Sequence, residues 1–203
     1  MLEGNLKLLV NRRPYGDLFV EGIYSFDAML ESIIGQRAMD INAKHADGLY
    51  PGNSVGLVLL DPTAPPSISS ENAVMAYFVV GEEGERFLPN ALAKACEHRD
   101  HQASAGSVLY SQPHRLADGD FRWGHSAEVE GTIVGVSGLS EIQDRYQGQL
   151  FAAEFNYEIA RFRLEWAKAH PGGDWFNDQD KPGKRYAGTL DQVRLVPWST
   201  ATT

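Results

Sequence analysis

Cys96 is the only cysteine among 203 residues, so no disulfide can form within the chain. Long apolar runs are also missing, and none approaches the roughly 18 residues needed to span a bilayer. Positive charge is scarce. Against 27 Asp and Glu stand 18 Lys and Arg, a net charge of −9. That argues against nucleic acid as the main partner, because phosphate binding needs a positive surface. The short apolar run Leu8-Leu9-Val10 precedes Arg12 and Arg13, the wrong order for a signal peptide. No repeat, no low-complexity segment and no Gly-x-Ser-x-Gly elbow around Ser137 or Ser140 occurs. These absences lead us to expect a cytoplasmic protein with no membrane or nucleic-acid partner, and they disfavour covalent serine catalysis.

What remains reads as a single domain over 1–203, with a core at about 25–168. An N-terminal arm covers 1–24 and includes a strand-like piece from Leu6 to Val10. A tail covers 169–203; its Trp175, Phe176, Tyr186 and Trp198 are too many aromatics to leave in water, so it is expected to dock on the domain or on another subunit. From the N-cap candidate Ser25, apolar residues at Phe26, Met29, Leu30, Ile33, Ile34, Ala38 and Ile41 keep helical spacing to about His45. Ser54 to Asp61 and Asn72 to Val80 read as an antiparallel pair of strands. A helix is expected from Leu88 to about Ser104, with Leu88, Leu92, Ala95 and Cys96 on its apolar side and Glu97, Arg99 and Asp100 facing water. Val108-Leu109-Tyr110 reads as a short strand. Phe121 to Val129 and Thr132 to Leu139 form a hairpin about the tight turn Glu130-Gly131. The last helix runs from about Glu141 to Ala169, with Leu150, Phe151, Phe155, Ile159, Phe162 and Trp166 along one stripe. Ser140 and Gln143 have the spacing of a capping box at its start. The order predicts an α+β fold, an antiparallel sheet of about five strands with helices packed on it.

Three features could carry chemistry. Cys96, Glu97, His98, Asp100 and His101 share one helix. Such spacing can hold a metal through His98 and His101 or supply an axial ligand to heme iron, and a solvated charged face is the plainer alternative. His125, between Gly124 and Ser126, can face a cavity or simply cap a strand end. Gly135 interrupts its strand and marks a bulge or a close approach. A planar ligand or a neighbouring subunit can meet the backbone at Gly135 and Gly138, or the turn can be packed with nothing bound. His114 and Tyr110 are further conceivable heme ligands, while His45 and His170 read as helix-end residues. A Cys96–His nucleophilic pair is disfavoured, because Cys96 falls on the apolar side of its helix. Acid–base catalysis through Asp61, Glu128 or Glu130 stays open. No catalytic residue is assigned.

Taken together, Ser54 to Asp61, the pair Lys94-Ala95, and Glu130 to Gly138 followed by Glu141 and Asp144 resemble the GlcG/HbpS-like family. That family includes heme-binding proteins and the C-terminal domain of a cobalamin adenosyltransferase. The resemblance covers roughly 25–165 and departs from the family where Trp123-Gly-His-Ser126 replaces a Gly-Gly-x-Pro element. It implies a profilin-like or PAS/GAF-like core, a homo-oligomer, and binding of a small molecule, heme or a related tetrapyrrole first. The implied heme site joins His98, His101 and His125 to the glycine turn at 135–138. The alternative is a small-molecule enzyme of the same fold, with a carboxylate or histidine as general acid/base on an organic acid.

Overall fold

The computed structural model describes residues 6–10, 26–102, 112–174 and 180. The expected short strand at Val108-Leu109-Tyr110, the N-cap candidate Ser25 and the aromatic residues of the tail lie outside them. The chain divides into two compact units, Met1–Phe162 and Arg163–Thr203.

The fold is α+β. Five strands, β1 (Leu6–Val10), β2 (Val55–Leu60), β3 (Val74–Val80), β4 (Ala127–Val129) and β5 (Thr132–Ser137), form one antiparallel sheet in the order β1-β3-β2-β5-β4. β2 lies at its centre and is buried along its whole length, as its unbroken apolar run Val-Gly-Leu-Val-Leu-Leu requires. Of the expected N-terminal arm, Leu6–Val10 joins this sheet as an edge strand beside β3. Glu130 and Gly131 both take positive φ, 50° and 82°, the geometry of a two-residue hairpin turn between β4 and β5.

Strand alternation splits the core into two layers. On one face, Val55, Leu57, Leu59, Phe78, Val134 and Val136 meet helix α1 (Phe26–Ala46) and helix α3 (Glu141–Ala169). The seven expected apolar positions of α1 are all buried. Phe151 of α3 packs on Phe78 with ring centroids 4.8 Å apart, and Phe155 meets Phe26 edge-on. One half of the capping box at the start of α3 forms, with Gln143 Oε1 accepting from Ser140 N–H at 3.2 Å.

The opposite face receives helix α2 (Leu88–His101) over Val58, Leu60 and Val74. Its buried residues differ from the expected set. Ala91, Lys94, Ala95 and His98 turn toward the sheet, and Cys96 and Glu97 are buried as well. Leu88 and Leu92 are only partly buried at the margin of this layer.

Two glycines let α2 lie this close. A Cβ on Gly135 would stand 1.9 Å from the Ala91 carbonyl oxygen, and one on Gly56 would stand 2.8 Å from Leu88 N. Both neighbours are backbone, which cannot swing aside. Gly135→Ala should therefore push α2 off the sheet and cost about 1–3 kcal/mol or more. Urea unfolding of the variant checks this, and an unchanged midpoint would refute the tight helix–sheet contact.

Candidate functional site

At the centre of the α2 layer is a buried ion pair. Lys94 Nζ donates to Asp144 Oδ2 at 2.8 Å and to the Val136 carbonyl at 2.9 Å. Asp144 Oδ1 accepts from Leu139 N–H at 3.0 Å. Burial pushes the Asp144 carboxyl up, and the Lys94 charge works against that rise. The pair ties α2 to the end of β5 and the entrance of α3, so it fixes where the rest of α2 points.

The far end of α2 points at a cleft of about 710 Å³. That size suits a small-molecule ligand. The helix stops at Gln102, whose left-handed backbone (φ 52°) returns its N–H to the His98 carbonyl. Leu60 and Ile133 form apolar walls, and the three-proline loop 62–69 closes one side. Arg99 holds that loop. Its guanidinium donates to the carbonyls of Ala64, Pro65 and Ile68 at 3.3, 2.9 and 2.7 Å, and to Ser70 Oγ at 3.2 Å.

Two nearly buried polar residues line this cleft. Asp61, 6% exposed, accepts on Oδ1 from Thr63 N–H and Thr63 Oγ1 at 2.7 Å each. Among the described residues nothing donates to its Oδ2. His98, 8% exposed, lies with Nδ1 2.6 Å from Ser126 Oγ, and Nε2 has no hydrogen-bond partner among the described residues. Burial pushes the His98 pKa down, partly offset by the charge of Glu128, so the ring is neutral near pH 7. Leaving such atoms unbonded is costly in a closed core but not at the wall of a cleft.

The other expected site residues are dispersed. His101 is half-buried at the end of α2, is not among the residues lining the cleft, and acts electrostatically on Glu97. No group of three His, Cys, Asp or Glu among the described residues could hold a metal ion. His125, at φ 75°, pairs with Glu141 at the entrance of α3. At Gly135 the close neighbour is α2. At Gly138 (φ 133°) an added Cβ would meet the Ser54 carbonyl oxygen at 2.3 Å. The glycine turn thus serves contacts within the chain. His114 is exposed, and Tyr110 lies outside the described residues. His45 Nδ1 contacts the Tyr50 carbonyl and His170 Nδ1 the Trp166 carbonyl, as helix-end residues do. Burial pushes the Cys96 thiol up to about 12, so it is no nucleophile near neutral pH.

Glu97, named in the α2 cluster and expected on its water-facing side, is buried and does not line the cleft; its Oε1 accepts from Phe121 N–H, and burial raises its pKa. Two contributors to the cleft escape the sequence, Ser126 and the Arg99-anchored loop. Their signals are contacts between residues about thirty apart, which no local pattern encodes. Compared with protein-family models, curated proteins and solved structures, the chain matches none.

The depressed His98 pKa has a consequence for stability. Between the folded value and the ordinary 6.5, the unfolded chain binds a proton at this site and the folded chain does not. Stability from this residue is therefore complete above 6.5 and declines as pH falls below it. In urea unfolding at pH 7.5 and 5.5, wild type should lose more stability on acidification than His98→Asn. Equal losses would contradict the assignment.

Proposed function

We propose that this protein binds a small molecule in the cleft beyond the C-terminal end of α2, with His98 and Asp61 as its anchoring polar groups. The observation that carries this reading is the pairing of deep burial with unbonded atoms. Both residues are more than nine-tenths buried, both line one cavity, and each keeps a heteroatom without a hydrogen-bond partner among the described residues. Around them, Leu60, Ile133 and the proline loop supply apolar contact. The lining is polar and apolar in near-equal measure, which suits a small polar ligand held by a few placed groups.

Heme, which the sequence resemblance implies, meets one suitable group here. If Nδ1–H is donated to Ser126, the Nε2 lone pair of His98 can serve as an axial ligand. The propionates fare worse. Arg99, the cation in the lining, is engaged by four loop oxygens, and the other formal charges there belong to Asp61, Asp100 and Glu128. The same charges oppose an enzyme acting on an organic acid. Our reading is therefore a ligand other than heme. In a hemin titration the Soret band should stay that of free hemin. A saturable, red-shifted band that disappears in His98→Ala would return heme to first place.

A further inference from the structure

We infer that the ligand of this cleft is an organic cation, a molecule carrying an amine, amidine or guanidine group that sits against Asp61 and Glu128. The inference rests on the cleft being the ligand site and adds the chemical class that it selects.

Charge in the lining is one-sided. Three carboxylates, Asp61, Asp100 and Glu128, stand against one guanidinium. Each carboxylate spends one oxygen on the protein. Asp61 Oδ1 receives Thr63, Asp100 Oδ1 receives Ser70 Oγ, and Glu128 Oε1 receives Gly131 N–H at 2.8 Å. The second oxygen of each is bonded to nothing among the described residues. The guanidinium of Arg99 is largely engaged, its two terminal nitrogens donating to three loop carbonyls and to Ser70 Oγ.

Two further features push the same way. The last turn of α2 lines the cleft, and a helix C-terminus carries partial negative charge. His98 adds no opposing positive charge, since burial keeps its ring neutral. Asp61 matters most, because it is nine-tenths buried, lines the cavity and has an oxygen unbonded among the described residues. A carboxylate in low-dielectric surroundings interacts far more strongly with a cation than one in water. Like-signed charge in a concave wall also concentrates the field at its mouth.

The test uses benzamidine, benzamide and benzoate, which share size and shape but carry charges of +1, 0 and −1. Each is titrated into the 203-residue chain while backbone amide shifts are followed by NMR. Benzamidine should shift resonances of Asp61, His98 and Glu128 saturably and bind at least about tenfold more tightly than benzamide, with benzoate weakest. Asp61→Asn and Glu128→Gln should each remove most of that preference. Glu128 is exposed and glutamine keeps an acceptor for Gly131 N–H, so this variant tests charge without threatening the fold. Equal or tighter binding of benzamide or benzoate in the cleft, or a preference that survives both substitutions, would overturn the cation assignment and leave the cleft as a ligand site. If no probe shifts cleft resonances, the proposed function falls and takes this inference with it.

Discussion

Everything on the α2 face depends on one buried contact, the ion pair of Lys94 with Asp144. Neither charge reaches water, so each must be satisfied inside the protein. Lys94 finds Asp144 and the Val136 carbonyl, and Asp144 finds Lys94 and the Leu139 amide. Such a pair adds little net stability compared with two well-packed apolar side chains, yet breaking it strands a charge in the core. Its value here is positional. It fixes α2 against β5 while Gly135 and Gly56 permit the close approach, and only one placement of the helix satisfies both demands. With α2 so fixed, His98 reaches the cleft one turn further along and Arg99 reaches the proline loop.

The cleft follows from this geometry. β2 ends at Leu60, and Asp61 turns the chain through its bonds to Thr63. Loop 62–69, with three prolines and few apolar side chains, is held by Arg99 through three of its carbonyls, with a fourth bond to Ser70 Oγ beside it. The result is a concavity whose cation is used structurally and whose carboxylates keep oxygens unbonded among the described residues. Its one-sided charge is a by-product of how its wall is built.

Much of the frame was legible in the residues. The apolar stripe of α1 is read directly. On α3, Phe151, Phe155 and Phe162 are buried as expected, Leu150, Ile159 and Trp166 are half-buried, and Asp144 and Gln147 are buried as well. The turn at Glu130-Gly131 is a local signal and formed as expected, and of the capping box at Ser140 the bond from Ser140 N–H to Gln143 formed. α2 misled because its buried face carries Lys94, Glu97 and His98, letters that ordinarily mark water. Gly135 announced a close approach without saying by what, and the visitor proved to be α2 itself. The residues that carry the sequence resemblance, Lys94 and Asp144, do meet, fifty positions apart, as a structural pair. Of the candidate ligands, His98 reached the cleft, while His101 and His125 found other partners. Whether a polar residue serves the wall of a cavity or the inside of a layer depends on contacts that spacing does not record.

The central claim is that the Lys94–Asp144 pair positions α2, and a double-mutant cycle tests it most directly. Unfolding free energies would be measured for wild type, Lys94→Met, Asp144→Leu and the double variant. The account predicts that each single change costs about 3–5 kcal/mol and that the double variant costs far less than their sum. It also predicts that His98 amide shifts move in both single variants. Additive losses with an undisturbed His98 would show two independent residues, and the claim would fail.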